Sequence, residues 1–308
     1  MSALAVEAEK VGFGCGDLRF LRDITLTFYE GETVALLGPP GCGKTLLAQM
    51  LCGLQAPTSG RLLVCGHPVG ASSDAVRRLS SAAFGSSGVD RMLTVMENTR
   101  LHAKLHDLCP NEEKPLTARL LRTFGLSDRR DVLCARLTPG ELARLAVVCA
   151  MLSAPKVLVV DDLLQWMDAE SRKAFREITA EMRARYQTTV VLTSRNPDEV
   201  DFCDRIAVLS RGKLLALDTP NMLRDIAGCD ELLVKPVDDR SAGKIRRRFG
   251  VIVEQDEDGA LRIAVRREQN GLEQVLRDVL TDASAVYIRR PSLHDAYAKL
   301  LAESETSS

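Results

Sequence analysis

The chain has 308 residues, 45% of them hydrophobic and 27% charged, with a formal net charge of −1. That length and composition allow a large domain plus a smaller one, each with a packed core, and exclude global disorder. The near-neutral balance offers no basic excess for nucleic acid, so no nucleic-acid partner is expected.

Residues 1–10 carry acids and no apolar core, so no signal peptide is expected there. No run reaches the ~18 apolar residues of a spanning helix. A role at a membrane would then require docking onto another protein. Residues 34–37 read as a buried strand, and 44–54 follow with helical spacing. Helices are expected over 116–124 and 140–152. The run 157–160 is apolar throughout, as in a parallel strand covered on both faces. A charged amphipathic helix follows over 169–186, then a buried strand over 188–193. Residues 206–209 and 213–217 read as a hairpin around Arg211-Gly212. Strands alternating with helices over the first ~225 residues predict an α/β fold.

Composition shifts after Gly228. Strands over 232–235, 251–254, 260–265 and 285–288, with helices over 241–249 and 272–280, give a βαββαβ order. That order predicts a small ferredoxin-like α+β unit. A last helix over 292–301 is expected to be started by Pro291, and a polar tail over 303–308 is expected to fray. The domains are therefore read as 1–228 and 229–302, with a disordered tail over 303–308. Nine cysteines, an odd count with no CxxC pair, sit partly inside apolar runs such as Val147-Val148-Cys149-Ala150. They read as buried free thiols of a reducing compartment, not disulfides or a metal site.

Gly38-Pro39-Pro40-Gly41-Cys42-Gly43-Lys44-Thr45 fits GxxxxGK[ST], following a strand and opening a helix. The glycines let backbone N–H groups turn inward around phosphate oxygens. The positive end of the following helix, which Leu46 helps to open, adds attraction. Lys44 is placed to reach the β- and γ-phosphates, and Thr45 to ligand Mg²⁺ through its hydroxyl. The acid ending the 157–160 run, Asp161, can hold the same ion through water. ATP and Mg²⁺ are the expected cofactors.

The order of motifs resembles the nucleotide-binding domain of ABC transporters, over residues 11–228. Leu137-Thr138-Pro139-Gly140-Glu141 stands at that family's LSGGQ signature. Asp161-Asp162-Leu163-Leu164-Gln165-Trp166-Met167-Asp168 stands at its DEPxxxLD segment. Leu93-Thr94-Val95-Met96-Glu97-Asn98 resembles LTVxEN, and 203–209 resembles the DRxxVL segment. Pro291-Ser292-Leu293-His294-Asp295-Ala296-Tyr297 resembles the PSLEDVF segment of many exporter ATPases, including the drug-resistance and nodulation-factor branch; a plain helix cap explains it as well. The resemblance implies a P-loop NTPase fold and an ATP-binding subunit on the cytoplasmic face of the membrane. It implies an integral membrane permease as partner, and a second nucleotide-binding domain that sandwiches two ATPs. It places Lys44, Thr45 and Asp161 on ATP and Mg²⁺, Thr138 and Gly140 on the partner's phosphate, and Asp168 at communication between sites. Phe13 stands where an aromatic stacks on adenine, although a core aromatic fits that position equally.

Four positions depart from the family pattern. Asp162 replaces the glutamate base, which leaves its carboxylate roughly 1 to 1.5 Å back from the attacking water. Arg195 replaces the switch histidine; it can contact a γ-phosphate but cannot act as a neutral imidazole hub. No glutamine occurs between Gln55 and Gln165, so the residue that ligands Mg²⁺ and couples to the membrane partner is missing. Pro139 and Glu141 alter the signature, the second adding a negative charge near the nucleotide that weakens the contact unless screened. Thr138-Pro139-Gly140-Glu141 also reads as a helix start, with Thr at the cap, Pro first and Glu in capping-box register, so the helix itself is expected to survive. The expectation is retained ATP binding with slow hydrolysis, and damage to both composite sites on pairing with an intact partner. The alternative is an ATP-binding regulatory or structural protein that drives no transport. An unrelated P-loop kinase or GTPase would explain neither the signature-like segment nor the register of Asp168.

Overall fold

Apolar runs four or five residues long, flanked by loop residues, must be covered on both faces, and the computed structural model places them so. It describes residues 3–16, 18–85, 88–227, 229–249, 260–266 and 271–306. The chain divides into two units, Met1–Thr219 and Pro220–Ser308.

In the first unit, β3 (Thr33–Leu37), β7 (Val157–Asp161) and β8 (Thr189–Ser194) are buried almost throughout. With β6 (Ser80–Phe84), β9 (Arg205–Ser210) and β10 (Lys213–Asp218) they form one sheet of order β10-β9-β3-β8-β7-β6. All neighbours pair in parallel except the β9–β10 hairpin. That hairpin turns at Arg211 (φ 47°) and Gly212 (φ 77°), the two left-handed residues a tight right-twisted hairpin needs. Because β8 lies between β3 and β7, the carboxyl ends of three adjacent strands meet at one edge. In a parallel α/β sheet that edge is where ligands bind.

Helices α1 (Lys44–Leu51) and α5 (Pro139–Met151) pack on this sheet. Helix α5 is buried nearly all round, and its apolar sequence from Leu142 onward accounts for that. Helix α6 (Ala169–Tyr186) keeps a polar face, burying Ala174, Phe175, Ile178 and Met182. Helix α4 (Pro110–Thr123) begins a turn and a half before the expected 116–124. Its first turns are polar, which hides them from a reading based on apolar spacing.

A second sheet, antiparallel, is formed by β1 (Leu4–Cys15), β2 (Leu18–Tyr29), β4 (Ser59–Val64) and β5 (His67–Pro68) in the order β2-β1-β4-β5. Its inward residues, among them Val6, Ala8, Leu26, Phe28 and Leu62, join Leu47, Met50 and Leu51 of α1 in one core.

In the second unit, β11 (Cys229–Pro236), α8 (Asp239–Phe249), β12 (Leu261–Arg266), α9 (Gly271–Leu280) and β13 (Ala283–Arg289) follow the expected order. The sheet runs β12-β11-β13 over a core of Leu232, Val234, Ile245, Leu261, Ile263 and Val279. The strand expected over 251–254 lies outside the described residues. The expected boundary after Gly228 differs from the observed one: α7 (Pro220–Ala227) packs with α10 (Leu293–Thr306) in the second unit. Lys299 Nζ donates to the Ile226 carbonyl at 2.9 Å, fastening the two helices. The tail expected to fray is helical through Thr306. Ser292 caps α10, with Asp295 accepting from the Ser292 N–H at 2.8 Å and the Asp295 N–H donating to Ser292 Oγ at 3.2 Å. Pro291 therefore precedes the cap and does not open the helix.

Candidate nucleotide site

Between β3 and α1 the chain must reverse direction closely enough for α1 to start at Lys44. Gly41 (φ 76°) and Gly43 (φ 102°) take left-handed conformations that only glycine enters without strain. A Cβ on Gly43 would run into the Leu21 side chain, and one on Gly38 into the Leu209 carbonyl oxygen. Gly43 caps α1 and, having no side chain, makes no cap bond to the first-turn amides. The N–H groups of Lys44, Thr45 and Leu46 thus keep the anion-binding character of a bare helix start.

Lys44 is 7% exposed, and its Nζ donates to the carbonyls of Gly38 at 2.7 Å and Pro39 at 3.0 Å. It spans the loop without filling it. An open cleft of about 350 Å³ lies outside, lined by Pro40, Gly41, Gly43, Lys44, Thr45 and Leu46 on one side. Asp162, Thr193 and Arg195 line its other side. Cys42 is buried at 1% exposure and turns its thiol inward, 3.7 Å from Lys44 Nζ.

Asp161, at the end of β7, accepts from Thr45 Oγ1 at 3.0 and 3.1 Å and from Thr193 Oγ1 at 2.6 Å. A hydroxyl and a carboxylate brought together beside a glycine cradle are the hard oxygen donors that Mg²⁺ takes, so these residues fit a Mg²⁺–triphosphate group. No group of three or more His, Cys, Asp and Glu suited to a metal occurs among the described residues, so the metal fit here rests on Thr45, Asp161 and the nucleotide's own oxygens.

Asp162 follows directly, held in a left-handed conformation (φ 54°) by bonds from its N–H to the Thr193 carbonyl at 3.3 Å and hydroxyl at 3.0 Å. Its carboxylate pairs with Arg195 Nη2 at 2.6 Å. The two substituted positions therefore partner one another.

Thr138 and Gly140 do not line this cleft; they start α5. Thr138 is the N-cap, and Pro139 occupies the first turn. Glu141 completes a capping box: Oε2 accepts from Thr138 N–H at 2.8 Å and Oγ1 at 3.0 Å. Its Oε1 accepts from Arg129 Nε at 2.9 Å. Burial alone would raise the Glu141 pKa, but the Thr138 amide and hydroxyl and the Arg129 guanidinium outweigh it and hold the group below its ordinary value. The charge expected to trouble a nucleotide is thus spent inside its own helix cap. A Cβ on Gly140 would stand 2.8 Å from the Trp166 carbonyl, which is why glycine sits there. Asp168 caps α6, accepting from Ser171 N–H at 2.7 Å, and that bond lowers its pKa.

Phe13 is half-buried against the sheet core, whereas Phe20, 45% exposed, lines the cleft. Their ring centroids lie 6.3 Å apart at 42°. Sequence reading missed Phe20, Gln49 and the anchoring role of Thr193. Gln49 lines the cleft one helical turn after Thr45, a spacing that would have revealed it. The segment at the missing glutamine reads Ala83-Phe84-Gly85 up to Ser86 and Ser87, which lie outside the described residues.

Residues 21–165 match the family described as ABC transporter. The chain is 35% identical over 206 residues to the phospholipid-transporting ATPase ABCA3 of Rattus norvegicus, covering 65% of this chain and 12% of that protein. It is 29% identical to Nod factor export ATP-binding protein I of Rhizobium sp. (strain N33), over 74% of this chain and 76% of the relative. It is 32% identical to the spermidine/putrescine import ATP-binding protein PotA of Haemophilus ducreyi, over 70% of this chain and 58% of the relative. Among solved structures, one described as the ATP binding subunit of an ABC transporter superposes with a TM-score of 0.66 at 25% identity, covering 71% of this chain and 92% of that one.

Proposed function

We propose, since this chain belongs to the ABC transporter family of ATP-binding domains, that it is the ATP-binding subunit of an export system and hydrolyses ATP slowly. The carrying observation is the meeting of the glycine loop, Lys44 and the Thr45–Asp161 pair at the ends of β3 and β7. The loop amides and Lys44 would hold the phosphates, and Thr45 and Asp161 would hold Mg²⁺, which supplies charge neutralisation when bound. Phe20 and Phe13 offer an aromatic wall for the base.

Export is favoured by likeness to a Nod factor exporter over most of both chains and by the 291–297 segment. The partners are a membrane permease and a second nucleotide-binding domain, with this chain on the cytoplasmic face. No helix among the described residues is long and apolar enough to cross a membrane.

Slow turnover rests on Asp162, whose shorter arm draws the base back from the water, at a cost on the order of 10²-fold. The test measures MgATP affinity beside steady-state turnover. Lys44→Ala should abolish binding, and Asp162→Glu should raise turnover at unchanged affinity. Turnover near that of ordinary transporter ATPases would refute the slow-enzyme reading. A second reading, a regulatory ATP-binding protein, is favoured by the absent glutamine, since that loop normally meets the membrane subunit. Purification as a soluble complex without a permease would decide for it.

A further inference from the structure

We propose that the Asp162–Arg195 ion pair is a triphosphate-sensing latch, in which the guanidinium exchanges the Asp162 carboxylate for the γ-phosphate of ATP and stays on Asp162 when ADP is bound. This rests on the nucleotide-site reading above. Both residues line the cleft beside Lys44 and Thr45. They differ in freedom. Asp162 is fixed at its backbone by the Thr193 carbonyl and hydroxyl, and its side chain is 21% exposed. Arg195 has a backbone tied on both sides: Ser194 O accepts from Gly38 N–H at 3.3 Å, and Ser194 Oγ donates to Glu199 at 2.7 Å. Asn196 N–H donates to Ser194 Oγ at 3.0 Å. Its side chain, 55% exposed, is the movable part.

The chemistry favours such an exchange. Arg stays charged at any working pH, so it serves this site only by matching negative charge. A terminal phosphate offers more charge than a carboxylate and three acceptor oxygens in the fork geometry of a guanidinium. A half-exposed pair is weak enough to open. The diphosphate of ADP ends on the loop amides and leaves Arg195 with its resting partner. Once the guanidinium moves, the Asp162 carboxylate is released toward the cleft, so the same event that reports the γ-phosphate frees the base.

The test is isothermal titration of the full chain with Mg²⁺ and either ADP or the non-hydrolysable β,γ-imido analogue of ATP. Asp162→Asn, isosteric and free of charge, should tighten the analogue by roughly two- to fivefold and leave ADP unchanged. Arg195→Ala should weaken the analogue about tenfold with ADP unchanged. In the Arg195→Ala background, adding Asp162→Asn should tighten the analogue less than it does in the wild-type chain, because no guanidinium is left to release. Tightening as large in that background as in the wild-type chain would mean plain removal of a repelling charge and would overturn the latch, as would equal changes for both nucleotides. Binding of neither nucleotide by the wild-type chain is a different result, one that overturns the site reading itself and the latch with it.

Discussion

Glu141→Gln restores the family's signature residue, yet the structure predicts that it destabilises the protein. The carboxylate makes two kinds of bond. Oε2 accepts from the Thr138 amide and hydroxyl, and Oε1 accepts from Arg129 Nε. A glutamine carbonyl can still serve the cap, since Gln is accepted in capping boxes. Its NH₂ group would then face the Arg129 N–H, donor against donor, and the two must part. A bond to a charged group contributes up to about 3 kcal/mol, but Arg129 is 54% exposed, so solvent screening brings the expected loss to about 1 kcal/mol. The sign with pH follows from the lowered pKa of Glu141. A depressed carboxylate contributes stability above its unfolded value, near 4.3, and that contribution is lost as pH falls through its folded value. The gap between wild type and variant should be full near pH 7 and close progressively as pH falls below the unfolded value and through the lowered folded one. Trp166 is the only tryptophan and its carbonyl abuts Gly140, so its fluorescence in urea reports this region. The expected midpoint shift is a few tenths of a molar at unchanged slope. A variant as stable as wild type at pH 7, or a gap that ignores pH, would refute the reasoning. Tighter nucleotide binding without lost stability would place the Glu141 charge at the phosphate and not in the cap.

Three further outcomes are expected. Gly38→Ala puts a methyl group onto the Leu209 backbone carbonyl and 2.6 Å from Cys42 Sγ, so it should cost about 2 kcal/mol or more in urea unfolding and abolish nucleotide binding. Asp161→Asn can keep its bonds from Thr45 and Thr193 but loses the charge that favours the metal; Mg²⁺ titration at fixed nucleotide should show affinity weakened about tenfold or more. Burial pushes the Cys52 thiol up to about 12 and raises Cys149 and Cys203 further, while Cys15 and Cys109 are exposed. A thiol reagent at pH 8 should therefore label Cys15 and Cys109 in the native protein and reach Cys149 and Cys203 only after unfolding.

What could be read from the sequence follows from how each element announces itself. The strands at β3, β7 and β8 are unbroken apolar runs because both faces are covered, and their register brings Asp161 and Thr193 beside Thr45. The antiparallel sheet was not legible: β1 interleaves Glu7, Glu9 and Lys10 with small residues, and register shifts break the alternation of its pairing with β2. The substitutions at 162 and 195 were visible, but not their contact, because 33 residues of chain separate partners joined only by neighbouring strand ends. For Glu141 the capping-box register with Thr138 was visible, but not the ion pair that engages its other oxygen, for a related reason. Its effect depends on Arg129, whose place is set by the short 3₁₀ turn at Ser127–Arg129. Phe20 escaped notice because an exposed aromatic on a strand carries no periodic signature of its own.

The contacts of Glu141 also change what mixed pairing implies. By sequence the departures are shared between the loop side and the signature side, so an intact second cassette would be harmed at both composite sites. In the structure the Glu141 carboxylate is engaged by the Thr138 cap and by Arg129. Pro139 removes only an amide that has no partner within the helix, and the Thr138 cap keeps α5 in place. The loop side carries the graver change, a short base already engaged by Arg195. Under the proposed function, pairing with an intact cassette should therefore leave the site made from the partner's loop and this chain's α5 able to turn over. The site on Lys44 should hold its ATP. Single-turnover measurements on such a pair should show one nucleotide consumed and one retained; retention of both would restore the signature to equal blame.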